Sequence, residues 1–351
     1  MRKYLLLLVA FPLLCFPLTA GAVDFNLNGV KFGINGYIDL QYNYMSKNPT
    51  SDGMSMEESS TFQQKQLNLL FDVEKDKYRA HINLHSTNAF TTEDGEKGQW
   101  EVEEAYGEYR FNDLLSVRGG TILSPFGIFN EFRYITSVYA SVVLPFIYEI
   151  PNGYSGASIT PDNSNVVANG SYLGENMDLN YSLYVSNGRR DSTGEDQNKD
   201  KGAGTRVRFT VLDNYKIGAS YYTVQNDKEN EGRGHLVGVD FEATLLEKIL
   251  LQAEYVRDMY GKKADRLSYY ARLTYRMDRL SPFIMYDYFK DSADPVWKNG
   301  QNRYGVGVSY DFSENVILKA EYHFHNFRKN EDVPPEAETT NMIRAAAIFI
   351  F

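Results

Sequence analysis

Almost everything that commonly marks an enzyme or a metal protein is missing from this 351-residue chain. Its one cysteine, Cys15, sits near the N-terminus, so the body of the chain has no disulfide, thiolate metal site or cysteine nucleophile. The five histidines stand beside no recognisable catalytic motif, and there is no C-x-x-C-H for a covalently held haem. His81 and His85, and His323 and His325, fall in pairs on alternating positions, but four ligands do not converge by spacing. The formal charge of −10 argues against a nucleic-acid partner. No stretch approaches the roughly 18 apolar residues of a transmembrane helix.

What is present begins with residues 1–22, which have the layout of a secretory leader. Arg2 and Lys3 form a positive start, an apolar run follows, and Ala20-Gly21-Ala22 offers a small-residue cleavage site. Pro12 and Pro17 interrupt the run and no stop-transfer charges follow, which argues against a retained anchor. Leu14 is too bulky to make Cys15 a lipoprotein site. Removal of the leader takes two positive charges and shifts the net charge from −10 to −12.

The mean hydropathy, −0.43, is that of a soluble protein. Yet the chain carries 27 tyrosines and 21 phenylalanines, many for a secreted domain without disulfides. A transmembrane β-barrel reconciles these facts, since it needs apolar residues at alternate positions and aromatics in two interfacial girdles. The alternation is there. In GINGYIDLQYNYM, from Gly33, residues Ile34, Ile38, Leu40, Tyr42 and Tyr44 share one face while Asn35, Asp39, Gln41 and Asn43 share the other. Sixteen such segments run to Asn341–Phe351, the sixth, Asn165–Leu173, being the weakest.

The connections alternate in length. Seven are tight and rich in Asn, Asp and Gly, such as Asn112-Asp113 and Asp213-Asn214; those between them are long, polar and often acidic, with Glu93, Asp94 and Glu96 in one and Glu331 and Asp332 in another. Short turns on one side and long loops on the other, over an even strand count, predict a bacterial outer-membrane barrel spanning 23–351, with both termini periplasmic. A soluble sandwich need not keep its loops in phase. Nor need it end Ile348-Phe349-Ile350-Phe351, which is similar to the aromatic-ended last strand of outer-membrane barrels.

Glu103-Glu104-Ala105-Tyr106-Gly107-Glu108-Tyr109, then Arg118-Gly119-Gly120 and Ser124-Pro125-Phe126-Gly127, resembles the phosphate-selective porin O/P-type family and its relatives. The resemblance implies a diffusion porin in which Pro-Phe-Gly opens a loop folded into the pore. It departs from that family at the constriction, because Thr121 to Thr160 contains no lysine and one arginine, Arg133. Phosphate specificity therefore does not carry over.

Strand parity turns Arg118, Arg206, Arg208, Arg272, Lys319 and Arg344 inward, with Asp39, Glu104, Glu108, Asp240, Glu242, Glu254, Asp287 and Glu321. Charges at mid-membrane height must face water, so these are expected to line a wet lumen, as a field that sorts solutes or as salt bridges that brace the wall. Arg118, Arg208, Arg272, Glu104, Asp240, Glu254 and Glu321 are the chosen pore-lining candidates. The longest connection, Ser124 to Ser164, is aromatic rather than polar, and an ordered loop of this length is usually functional. It is expected to fold inward as a constriction bearing Phe126, Phe129, Glu131, Arg133 and Tyr134, with an aromatic surface that solutes slide across. The alternatives are a subunit contact or a plug against the wall. The function expected is passive diffusion of small hydrophilic solutes or ions, in a homotrimer surrounded by outer-membrane lipids and lipopolysaccharide. No cofactor, metal or catalysis is expected. The rival is a barrel scaffold sheathing a periplasmic partner such as a cytochrome in an electron conduit.

Overall fold

The structure, a computed structural model, describes residues 23–46, 58–87, 100–149, 159–161, 163–187, 201–225, 232–260, 264–293, 297–327 and 339–351. The leader, Tyr154 and the acidic clusters at 93–96 and 331–332 lie outside the described residues.

The alternating segments form strands. They are β1 (Val23–Leu27), β2 (Val30–Met45), β3 (Ser59–Lys75), β4 (Tyr78–Ser86), β5 (Trp100–Asn112) and β6 (Leu115–Leu123). Next come β7 (Asn163–Tyr172), β8 (Met177–Ser186), β9 (Gly202–Val211), β10 (Tyr215–Gln225), β11 (Arg233–Leu245) and β12 (Ile249–Tyr260). The series ends with β13 (Ala264–Tyr275), β14 (Leu280–Asp291), β15 (Gln301–Ser313), β16 (Val316–Phe327) and β17 (Thr339–Ile350). Each of β2 to β17 pairs antiparallel with its neighbour in sequence, and β17 pairs with β2 from Met342↔Met45 to Ile350↔Tyr37. The result is a closed sixteen-stranded antiparallel barrel. At the seam Gly36 and Phe351 exchange backbone hydrogen bonds of 2.8 and 2.9 Å, and the Phe351 ring occupies the space a Cβ on Gly36 would need.

Three details depart from the sequence reading. β1, an additional short strand, pairs with the start of β2, Val23 opposite Ile34 and Leu27 opposite Val30. Five residues without buried positions give little periodicity to read. Two tight turns hold the expected polar pairs but begin one residue before them, at Leu212 and Leu246, and the positive φ angles fall on Leu212-Asp213 and Leu246-Glu247. Three residues connect the paired ends Val211/Tyr215 and Leu245/Ile249, and the two successive positive φ angles turn the chain in the sense that matches strand twist. Finally, bulges at Asp39/Leu40 and Asn83/Leu84 shift the pairing by one residue, which strict alternation does not reveal.

The outward face is apolar and exposed, with Val239, Ile284, Val306 and Ile343 standing clear of the sheet. The inward face holds the charges. A charge placed outward at mid-strand meets lipid, so Val239→Arg should cost about 2–4 kcal/mol. Asn180→Glu, on the half-buried inward side of β8 and opposite Arg208, should be nearly neutral. Folding yield into liposomes, read by heat-modifiable gel mobility, checks this. Equal yields for the two would mean the faces are misassigned.

Candidate functional site

Ser124-Pro125-Phe126-Gly127 leaves β6 and turns across the barrel. Gly127 has a φ of +61°, and a Cβ there would stand 2.0 Å from Glu254 Oε1 and 2.2 Å from the Tyr148 hydroxyl. No other residue fits this corner without displacing both groups. Phe126, fully buried, lies against Gly238 of β11 and Val256 of β12. The neck of the segment is fastened by Asn130, whose Nδ2 donates to the Ser124 carbonyl (2.7 Å) and the Pro161 carbonyl (2.9 Å). The Ser124 and Ser164 hydroxyls meet at 2.8 Å.

Beyond the neck, wall side chains hold the segment by its backbone. Lys319 Nζ donates to the carbonyls of Thr136 (2.5 Å), Tyr139 (2.5 Å) and Ser141 (3.0 Å). Glu321 accepts from the amides of Val142 (2.8 Å) and Val143 (3.0 Å). Asp287 accepts from the Phe146 amide at 2.7 Å and pairs with Arg303, which donates to the Leu144 carbonyl at 2.8 Å. The Arg303 guanidinium lies over the Phe146 ring at 4.1 Å. Arg272 reaches Ser141 Oγ (3.0 Å), and Tyr37 donates to the Tyr134 carbonyl. Glu254 accepts from the Tyr148 hydroxyl at 2.6 Å. Burial, then the Glu254 charge, holds the Tyr148 phenol well above its usual range, so it stays a donor. Burial raises the Glu149 carboxyl, but Lys65 at 3.5 Å and Arg344 at 4.0 Å outweigh it and leave it below the ordinary glutamate range.

The segment also buries apolar surface. Phe126, Phe129, Tyr139, Phe146 and Ile147 form one cluster with inward Val256 of β12, Tyr270 of β13 and Phe289 of β14. Full burial of one such side chain contributes roughly 1.5–3 kcal/mol. These aromatics face the wall, so the expected sliding surface for solutes is absent where Phe126 and Phe129 lie. Beneath them a cavity of about 290 Å³ is lined by Phe129, Val138, Glu242, Arg272 and Asp311.

The predicted residues thus fall into two groups. Asp240, Glu254, Arg272 and Glu321 are buried and engaged, Asp240 in a paired contact with Arg206 at 2.9 and 3.1 Å. Arg133 is buried at the neck, donating to Asn130 Oδ1 (3.3 Å), and Tyr134 is half-buried with its ring 5.4 Å from that of His85. The other group keeps exposed surface. Arg118 and Arg208 are partly exposed, Arg118 lying 3.4 Å from Glu108. Glu104 accepts from the Leu123 amide at 3.2 Å, and Glu131 is exposed, near enough to Glu104 and Tyr184 to act on both. Among the described residues no group of three or more His, Cys, Asp and Glu converges on a metal position.

Arg303, the most enclosed cation among the described residues, is not among the parity candidates, although it shares an inward face with Ser309. The signal that could have exposed the docking is β14, Leu280–Asp291, whose apolar residues lie on both faces. A pore strand with an apolar inward face is covered by something.

The sequence matches the family described as Gram-negative porin over residues 8–330. Among solved structures, OmpF of Salmonella typhi in complex with daunomycin superposes with a TM-score of 0.68 at 13% identity, covering 94% of this chain and 100% of that one. The outer membrane channel DcaP of Acinetobacter baumannii gives 0.64 at 14% identity, over 95% and 100%. OmpT of Vibrio cholerae in its trimer form gives 0.59 at 12% identity, over 92% and 100%. At these identities the likeness is one of fold.

Proposed function

The chain belongs to the Gram-negative porin family, and on that premise we propose that it is an outer-membrane channel for passive diffusion of small hydrophilic solutes or ions. The short turns and both termini face the periplasm, and the molecule works as a homotrimer without cofactor or catalysis. One observation carries this reading: the segment from Ser124 to Glu149 is hydrogen-bonded to inward side chains of β2, β12, β13, β14, β15 and β16, and so narrows the lumen rather than standing outside it. The passage left to solutes runs between Glu131 and the half-exposed wall of β5 to β9, past Glu104, Tyr106, Arg118, Asn180 and Arg208. A folded cytochrome would have no room beside the segment. The Pro-Phe-Gly corner supports kinship with the O/P-type porins, but Arg133, the one cation of the segment, is occupied at the neck, so phosphate is not the proposed solute.

The segment's exposed charge is negative. Glu131→Gln should therefore lower the cation preference, strongly at 0.01 M salt, where the Debye length is about 30 Å, and hardly at 1 M, where it is about 3 Å. Reversal potentials across a KCl gradient measure this. An unchanged potential at low salt would remove Glu131 from the solute path.

A further inference from the structure

Three of the enclosed wall arginines have a counter-charge, and a fourth has none. Arg206, Arg303 and Arg344 reach the carboxylates of Asp240, Asp287 and Glu149 at 4.0 Å or less. Arg272, only 3% exposed, makes no ion pair among the described residues. Its partners are neutral: Nε (3.1 Å) and Nη2 (2.5 Å) donate to Gln252 Oε1, Nη1 donates to Ser141 Oγ (3.0 Å), and the guanidinium carbon lies 4.9 Å from the centre of the Phe129 ring. Three of the five N–H groups of a guanidinium are thus used, which leaves two. The acid in the same row, Glu242, is already held by Lys216 at 2.6 Å and Gln252 at 2.7 Å. A guanidinium taken out of water is costly unless an anion meets it.

Arg272 lines the cavity of about 290 Å³ under the segment, and the strand registers build the rest of its wall. Glu242, Gln252 and Arg272 stand opposite one another across β11, β12 and β13. Thr274 lies one row nearer the short turns, and in the row after it Ser281 and Ser309 face each other across β14 and β15. The exposed Arg276 and Asp311 edge the mouth. The roof comes from the segment and is apolar. Phe129 and Val138 form it, and Val138, 57% exposed, borders this space rather than packing against the wall. An exposed valine beside an unpaired cation is a match for a small molecule with one charged end and one apolar end. At about 30 Å³ per water the space holds roughly ten waters, enough for a small organic acid.

We propose that this cavity is a solute subsite for small monocarboxylates with a compact apolar body, the carboxylate on the two remaining N–H groups of Arg272 and the body beneath Val138 and Phe129. The assignment rests on the channel reading above and narrows its solute class. Glu242 and Asp311 disfavour a second negative charge, which separates a monocarboxylate from a dianion. A weak site under the narrowing also suits conduction. Binding favours entry, and a single charge-assisted contact still permits release.

The test uses the folded full-length barrel in detergent, with benzoate as probe, benzamide as its uncharged counterpart and inorganic phosphate as an anion without an apolar body. Titration calorimetry should show binding of benzoate and not of the other two. Arg272→Gln should weaken benzoate roughly 10- to 100-fold, the loss of a hydrogen bond to a charged group. Because Arg272 also holds Ser141, a second variant leaves it in place: Ser309→Phe fills the cavity from β15 and should abolish binding. Heat-modifiable gel mobility verifies that each variant is folded. Conductance of the ligand-free parent keeps the two readings apart. A conducting barrel that binds no benzoate overturns the subsite alone, and a non-conducting barrel that binds it overturns the channel alone. Equal affinity for benzamide or for phosphate, or parental affinity in either variant, would each overturn the assignment.

Discussion

Replacing residues 133–148 with a short Gly/Ser linker is expected to give a folded barrel whose single-channel conductance rises several-fold, together with its size limit for uncharged sugars. The strand pairs are untouched by the replacement, and the sixteen ladders provide the hydrogen bonding a membrane requires. The wall groups that lose partners, among them Lys319 and Glu321, are not stranded in an apolar medium, because the vacated lumen fills with water. Their desolvation is reversed rather than left uncompensated. The apolar wall residues Phe289 and Tyr270 become exposed, which should show as a modest loss of thermal stability. A truncated barrel that folds and conducts no more than the parent would mean the segment is not the constriction.

The second large effect concerns how the segment stays in place. Asp287 and Arg303 have fully buried side chains, and between them they hold the amide of Phe146 and the carbonyl of Leu144. Asp287→Ala leaves the guanidinium without its counter-charge, and breaking a buried pair from one side costs about 3–5 kcal/mol. That cost can be shed by release of the segment, so the variant should show noisy, flickering conductance and faster proteolysis in the region of Arg133. Removing both charges, in Asp287→Leu/Arg303→Met, should recover most of the stability, since well-packed apolar replacements of a buried pair are often neutral. Urea unfolding of the single and double variants separates the two contributions. If the single variant unfolds at the parental midpoint, the pair does not anchor the segment.

The barrel was legible in the sequence because its physics is repetitive. Closure in lipid forces every strand to alternate, and sixteen repetitions of one pattern are hard to mistake. The connection at 124–164 was conspicuous for the same reason, being apolar where its neighbours are polar. What alternation cannot convey is which inward residues meet water and which meet protein. Arg272 and Arg208 have the same parity, yet one is enclosed by Gln252, Ser141 and Phe129 while the other remains partly exposed. That distinction depends on where the segment lands, a contact across more than a hundred residues. It also decides what a substitution does: Glu254→Arg would strike Gly127 and the Tyr148 hydroxyl instead of projecting into water. The bulge at Asp39/Leu40 and β1 were invisible for a different reason, since both depend on one or a few residues departing from the rule.

The seam between β2 and β17 has a consequence for assembly. Met45 finds Met342 and Tyr37 finds Ile350, so the two strands that complete the ring are the most widely separated in the chain. Every other pairing is local by comparison and can form hairpin by hairpin as the chain is threaded outward. This one carries the full entropic cost of closing a loop that contains nearly the whole molecule. Until it forms, the Tyr37–Met45 edge of β2 and the facing edge of β17 are each a bare row of amides and carbonyls, adhesive toward any strand of another chain. Escort of the unfinished sheet to the membrane is thus a requirement of its topology, and variants at Gly36 or Phe351 should reveal themselves as aggregation during biogenesis before any defect in the finished channel.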